Sequence, residues 1–344
     1  MMIAENNNEK ICRSKDYNYN FNKKTGFFAR WGKTLENDPG YAPMPEILDL
    51  EISQGGDCLG NCRWCYKSNG GNQPTHNMSF EEFKTIFHKV KRNLGQIAFG
   101  IMDISTNSSF FSMMRYAKEH GVIPNYTCHG LDVTYEVAKE TAELCGAVAV
   151  SIVNKEKSYD AIEKFSIVNN MKQCNIHYVL CEESYDRAFE IIDDISTDTR
   201  LKNLNAVVFL QYKNRGKNPD LFHSVLNIEK YKKLINYCQE KKVNCGFDSC
   251  SANLYLETIK DSPNRKQLEM YADPCESELF SFYINCFGVG FPCSFVEGIE
   301  PGLDVLHCNN FKKEIWDSEV SKKWRKKLLD NKRNCPIYNL EIRK

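Results

Sequence analysis

The sequence has no apolar run long enough for a signal peptide or a membrane span, and its opening stretch, MMIAENNNEKICRSKDYNYN, is polar and Asn-rich. That predicts a cytoplasmic protein. It also lacks a charge imbalance: 45 basic residues face 45 acidic ones, so the global field gives no reason to expect nucleic acid, another polyanion or a membrane surface as partner. There is no P-loop and no GxGxxG after a strand-like run, which removes two common nucleotide-binding signatures. Neither a long-period repeat nor an extended linker interrupts the 344 residues.

What the chain has in number is cysteine. In a reducing compartment 16 cysteines are not a disulfide framework; they point to metal binding, catalysis or core packing. A hydrophobic content of 42% is enough to fill the core of one large domain or two ordinary ones.

Short apolar runs alternate with amphipathic helical patterns. EILDLEIS (46–53) reads as a buried strand, and Ser79 with Glu82 as a capping box that opens the helical pattern SFEEFKTIFHKVKRN. The pair recurs as QIAFGIM with SSFFSMMRYAKEH, VIPNYTC with TYEVAKETAELC, and AVAVSIV with a helix over 159–172. NIHYVLC with a helix over 185–195, and NAVVFLQY (205–212) with one over 228–241, complete six units. Such alternation predicts parallel pairing through right-handed crossovers, hence an α/β fold built as a partial (β/α)6 TIM-like barrel.

Beyond residue 242 the rhythm breaks. LFSFYINCFGVGFPCSF reads as a hairpin turning at Phe287 and Gly288, and an amphipathic helix fits 312–329. The expected organisation is a polar, loosely ordered arm over 1–45, the barrel over 46–242, and a small Cys-rich module over 243–344 in which a metal substitutes for core.

The stretch SQGGDCLGNCRWCYKSN puts Cys58, Cys62 and Cys65 within eight residues, in the loop after the first strand. Loops at the carboxyl ends of barrel strands are where such folds carry chemistry. Structural zinc wants four ligands and the next candidate is His76, so a zinc knuckle borrowing that histidine is one reading. The other is an iron–sulfur cubane on three thiolates, with one iron left free for a substrate or cofactor.

CxxxCxxC as Cys58, Cys62 and Cys65, with Trp64 before the last cysteine, resembles the signature of the radical S-adenosylmethionine (radical SAM) enzymes. The resemblance implies a [4Fe-4S] cluster whose free iron chelates SAM and, on reduction, cleaves it to a 5'-deoxyadenosyl radical that abstracts a hydrogen from the substrate. It makes the three cysteines catalytic as well as metal-binding, and it implies a reductant such as flavodoxin or ferredoxin. For SAM it offers Gly100 and Asp103 in GIMDIS, where relatives carry a GGE-like turn from which this chain departs. It also offers Thr127 in TCHG, Ser151 in VSIVN, and Trp64 and Tyr66 beside the last cysteine. Each of these is equally an ordinary polar or aromatic residue at a strand end or in a loop.

In the tail, Cys275, Gly288 and Cys293 are spaced C-x12-G-x4-C, and FKKEIWDSEVSKKWRKKLL followed by NCPIYNL is similar to the end of the SPASM or shorter twitch extension of radical SAM enzymes. That resemblance implies one auxiliary [4Fe-4S] cluster, with Cys275, Cys293 and Cys335 as matched ligands and Cys250, at the module boundary, as the fourth. Cys245, Cys286 and Cys308 compete for the role, and a zinc site or ordinary buried thiols is the alternative. Cys12, Cys128, Cys145, Cys174, Cys181 and Cys238 read first as core thiols, though Cys181 and Glu182 end the fifth strand, where they could face substrate. His129 and His177 have no partner at metal-ligand spacing. The basic run KKWRKKLLDNKR (322–333) reads as the solvated face of a helix. The expected activity is hydrogen abstraction from a peptide or protein side chain. Small-molecule or nucleotide chemistry by the same route, and a non-catalytic metal-braced or redox-sensing binding protein, stand as alternatives.

Overall fold

A computed structural model describes residues 1–70 and 73–338; the last residues of the expected C-terminal module, 339–344, lie outside them. The segment read as a loosely ordered arm is folded. β1 (Met2–Glu5), β2 (Glu9–Arg13), β3 (Asn18–Asn22) and β4 (Phe28–Trp31) form a four-stranded antiparallel sheet in sequence order. The cause is a period-two alternation diluted by asparagines, in which Cys12, Tyr17, Tyr19 and Phe21 are buried and pack with Leu279, Phe280 and Leu328 of the tail.

The expected strand–helix units follow. β5 (Ile47–Glu51) leads, past the small ladder of β6 (Ser53–Gln54) and β7 (His76–Asn77), to α1 (Phe80–Val90). Then come β8 (Gln96–Gly100) with α2 (Phe110–Glu119), β9 (Ile123–Cys128) with α3 (Tyr135–Leu144), and β10 (Ala147–Ser151) with α4 (Lys155–Glu163). β11 (Cys174–Leu180) with α5 (Tyr185–Thr197) and β12 (Ala206–Gln211) with α6 (Ile228–Glu240) finish the series, and a seventh parallel strand, β13 (Cys245–Phe247), adds to β12. The tail hairpin joins the opposite edge. β14 (Ser281–Ile284) pairs in parallel with β5, and β15 (Val289–Phe291) and β16 (Leu303–Asp304) follow antiparallel. One ten-stranded sheet results, ordered β13-β12-β11-β10-β9-β8-β5-β14-β15-β16, so the barrel is partial and open. Helices α7 (Ala252–Thr258), α8 (Arg265–Leu268) and α9 (Glu319–Asp330) belong to the tail.

Local chemistry explains these boundaries. Ser79 and Glu82 cap α1 reciprocally, and Phe83, Ile86, Phe87 and Val90 form its buried stripe. Each such side chain contributes about 1.5–3 kcal/mol by leaving water. The helix expected over 159–172 instead begins at Lys155, capped by Asn154, and loosens into a π turn over 164–168. The one expected over 312–329 is interrupted at Ser318, which leaves the helical conformation to cap α9. In β5, Leu48 and Leu50 enter the core beneath the helices while Asp49 takes the opposite face. Among the described residues no helix is long and apolar enough to cross a membrane.

Arg30 of β4 clamps three parts of the chain together. Its guanidinium pairs with Glu46 at 2.8 Å and Glu276 at 3.0 Å, and lies over the Phe280 ring at 3.4 Å. Tyr17 donates its hydroxyl to Glu46 at 2.5 Å. Arg30→Met strands a buried carboxylate, so stability to urea is expected to fall by about 3–5 kcal/mol. Adding Glu46→Gln should return part of that loss. An unchanged urea midpoint in the single variant would refute the clamp.

Candidate metal centres and cofactor pocket

The three-cysteine loop lies between β6 and β7, just past the carboxyl end of β5. Every cysteine of the loop opens a tight turn. Asn61 N–H bonds to the Cys58 carbonyl at 3.2 Å, Cys65 N–H to the Cys62 carbonyl at 3.2 Å, and Ser68 N–H to the Cys65 carbonyl at 3.1 Å. Asn61 (φ 38°) and Ser68 (φ 58°) adopt positive φ in these turns, a conformation that asparagine tolerates better than most residues. Burial, then Cys65 and Cys58, push the Cys62 thiol up to about 12. A coordinated cation inverts that logic and deprotonates its thiol ligands, so the donor set fits a thiophilic metal group.

Asp103 and His129 brace this loop. The Asp103 carboxylate accepts Leu59 N–H at 3.0 and 3.1 Å and takes His129 Nε2 at 2.5 Å. Burial works against a charged His129, but hydrogen bonds to Cys58 and Asp103 outweigh it and raise the imidazole pKa. Among the described residues Cys58, Asp103 and His129 are the one trio whose metal-type ligand atoms lie within 4.8 Å of one another. The sequence reading sends Asp103 to the SAM amine; the fold engages both its oxygens with the loop. His129, partnerless by sequence spacing, acquires two partners through folding. His76, the zinc-knuckle candidate, stacks its ring on Phe287 at 4.2 Å.

Trp64 and Ser151 line one cavity of about 140 Å³, together with His177, Cys181, Glu183 and Phe222. Trp64 meets Phe222 edge-on at 6.0 Å. Thr127 Oγ1 lies 3.2 Å from His177 Nδ1, and burial pushes that imidazole down to about 4, leaving it neutral. Burial also pushes the Asp49 carboxyl up to about 6. Asp49 is a polar group that sequence reasoning passed over, and His177 one that it left without a partner; each stands between two hydrophobic neighbours in its strand. Gly100 ends β8 with its carbonyl accepting Ile52 N–H at 2.8 Å. Tyr66 turns toward the tail, its ring stacked on Phe295 at 4.5 Å.

The four tail cysteines chosen from the sequence come together. Cys275 acts on the ionisation of both Cys250 and Cys293, and Cys335 acts on Cys275 and Cys293. They arrive from separate places: after β13, before β14, at the end of the hairpin, and past α9. No three of their sulfurs lie within 4.8 Å of one another. Four thiols are a donor set that zinc or an iron–sulfur group takes. The competing cysteines are elsewhere. The free thiol of Cys245 neighbours that of Cys238, Cys308 donates to the Val305 carbonyl at 3.3 Å, and Cys286 is buried near Glu51 and Lys67.

The segment KNRGKN (213–218) joins the two sites. Arg215 donates to the Phe295 carbonyl at 2.8 Å and to that of Glu297, Lys217 N–H bonds to the Cys65 carbonyl at 3.0 Å, and Asn218 donates to the Arg63 carbonyl at 2.8 Å. Gly216 is required where the segment crosses the loop. It has φ 94°, and a Cβ there would strike the Cys65 carbonyl oxygen and lie 2.5 Å from Tyr66 Cα.

No family model and no curated protein matches the chain. Solved structures do. SuiB of Streptococcus suis bound to precursor peptide SuiA aligns with a TM-score of 0.72 at 11% identity, over 94% of this chain and 90% of SuiB. SuiB bound to S-adenosylmethionine gives 0.66 at 13% identity, over 83% of this chain and 68% of that one. Native anSMEcpe with bound AdoMet and Cp18Cys peptide gives 0.59 at 15% identity, over 81% and 82%. At these identities the likeness establishes the fold: an open α/β barrel with a Cys-rich C-terminal region. It is the fold that SuiB and anSMEcpe share.

Gly216→Ala forces the connecting segment off the three-cysteine loop. It should cost more than about 1 kcal/mol and lower the iron retained after anaerobic loading with iron and sulfide. Gly40→Ala, where a Cβ meets nothing within 4 Å, is the control and should retain as much as the unsubstituted chain. Equal iron in both variants would show that the crossing does not hold the loop.

Proposed function

We propose that this protein is a radical SAM enzyme acting on a peptide or protein side chain, with one [4Fe-4S] cluster on Cys58, Cys62 and Cys65 and an auxiliary one on Cys250, Cys275, Cys293 and Cys335. The observation that carries this reading is the three-thiol loop at the carboxyl end of β5, in a sheet shared with structures that hold S-adenosylmethionine. When bound, the cluster and SAM supply the 5'-deoxyadenosyl radical that takes a hydrogen atom from the substrate.

The chain's own residues bind, orient and shield. Trp64 and Ser151 offer an aromatic face and a hydroxyl to the adenosine part of SAM from one cavity wall, and Thr127 with His177 adds polar contacts beside it. The Gly100 turn approaches SAM through backbone, while Asp103 acts on the site by holding Leu59 and His129. Tyr66 serves the cofactor at one remove, by fixing the residue after Cys65 against Phe295. The aliphatic and aromatic lining keeps water from a reactive intermediate.

A peptide is the favoured substrate because proteins of this fold were solved with peptides, SuiB with SuiA and anSMEcpe with Cp18Cys. In this reading residues 46–242 are the catalytic barrel, flanked by parts spanning 1–45 and 243–344. With 16 free thiols the protein suits the cytoplasm, where flavodoxin or ferredoxin would supply the electron.

The test is anaerobic reconstitution with iron and sulfide, then dithionite and SAM, reading iron per chain and 5'-deoxyadenosine. The unsubstituted chain should carry about eight irons and release the nucleoside, and the Cys58, Cys62, Cys65 triple Ala variant about four with no release. Release stimulated by added peptides supports the substrate class; stimulation only by a small molecule or nucleotide overturns that part. Zinc in place of iron, or full iron with no cleavage, overturns the enzyme reading in favour of a metal-braced binding protein.

A further inference from the structure

The lysine that opens the connecting segment is out of place as a surface residue. Lys213 has a side chain 1% exposed, and burying an ammonium is costly unless its donors are used. Of the three donors on this ammonium one is used at hydrogen-bond length, on the Gln211 carbonyl at 3.1 Å. Asp248 lies 3.7 Å away, and Cys250 is near enough to act on the charge. Cys293 is close enough to act on the same charge, and the ring of Phe295, two residues further on, lies 3.9 Å beneath the ammonium. Asp248 faces this cation through Oδ2 at 3.7 Å, an ion pair longer than a hydrogen bond, while its Oδ1 accepts from Ser251 Oγ at 2.6 Å and Ser251 N–H at 3.1 Å.

Another cation near the four cysteines is of a different kind. Arg333 donates to the Cys275 carbonyl at 3.0 Å but lies at the solvent rim, paired with Asp273 at 3.2 Å and Asp38 at 3.6 Å. Its charge is screened and partnered. Lys213 is a desolvated positive charge set between the segments that carry two of the cysteines, 3.7 Å from Asp248, two residues before Cys250, and 3.9 Å from the ring of Phe295, two residues after Cys293.

We propose that Lys213 is the buried counter-charge of the four-cysteine site and raises the reduction potential of the cluster held there. The inference rests on the reading that Cys250, Cys275, Cys293 and Cys335 hold an iron–sulfur cluster. An iron–sulfur cluster on four thiolates is anionic and gains one further negative charge on reduction. Net charge is a lever that sets its potential, and it favours the reduced state when an ammonium is fixed beside the ligand segments. Lys213 is therefore a positioning and tuning residue; it acts on the ligand set, not on substrate.

The experiment uses the full chain with Cys58, Cys62 and Cys65 replaced by Ala, loaded anaerobically so that only the tail cluster is present, and titrated potentiometrically with electron paramagnetic resonance as readout. In this background Lys213→Met and Lys213→Gln should keep their iron and shift the midpoint to more negative potential, while Lys213→Arg should stay near the parent. Unchanged midpoints in the neutral variants at full iron overturn the proposal. If both neutral variants fail to hold iron while the Arg variant loads and keeps the parent midpoint, the charge requirement stands. If the Arg variant also fails to load, Lys213 acts by packing and the proposal is overturned. A parent protein that holds no iron gives no signal at all, and that outcome sinks the four-cysteine reading itself.

Discussion

A buried ammonium holds the mouth of this sheet together. Lys67, two residues past the last loop cysteine, pairs with Glu51 at 2.9 Å and with Glu297, and donates to the Tyr283 hydroxyl at 2.8 Å. Tyr283 passes its own proton donor to Glu51 at 2.8 Å. Burial alone would press Glu51 toward its neutral form, and Lys67 opposes that most strongly. One cation thereby ties the end of β5, the three-cysteine loop, β14 and the loop after the hairpin. A buried pair of this kind adds little net stability over an apolar replacement but is costly to break, so what it secures is one arrangement of these four segments.

The two thiol sites are consequently parts of one construction. The tail strands extend the sheet from the edge of β5 that is not taken by β8, which brings the tail beside the loop that follows β5. The stack of Tyr66 on Phe295 joins the residue after Cys65 to a residue two beyond Cys293. The segment from Lys213 to Asn218 touches both sites, and Gly216 allows the backbones to meet. Below them the N-terminal sheet is fastened through Arg30 to Glu46 and Glu276, so the arm, the barrel entry and the tail share a polar joint as well as an apolar one.

Much of the fold was legible because its signals are local. Apolar runs of strand length alternate with amphipathic helices that carry recognisable caps, as at Ser79 and Glu82, and a short-range pattern survives without knowledge of tertiary contacts. The N-terminal sheet escaped notice because Asn occupies the positions between Tyr17, Tyr19 and Phe21, and asparagine is poorly disposed to strands. The break before α9 was hidden for a similar reason: Ser318 is an ordinary residue until its side chain is seen accepting Ser321 N–H. At the sites, Cys58, Cys62 and Cys65 were legible as a motif, since their spacing is read directly along the chain. The four tail cysteines needed a family resemblance, because nothing local links Cys250 to Cys335.

The sequence by itself determined the six β/α units and the close spacing of Cys58, Cys62 and Cys65, both of which depend on residue type and spacing along the chain. Tertiary structure alone decided that Asp103 and His129 brace Cys58, that Lys67 sits between Glu51 and Glu297, and that Lys213 is buried near Cys250. These are charges whose meaning comes from desolvation and from partners 16 to more than 200 positions away, as Glu51 and Glu297 are from Lys67. Burial converts an ordinary lysine or aspartate into a group that must be paired, and burial is a property that no stretch of sequence carries on its own.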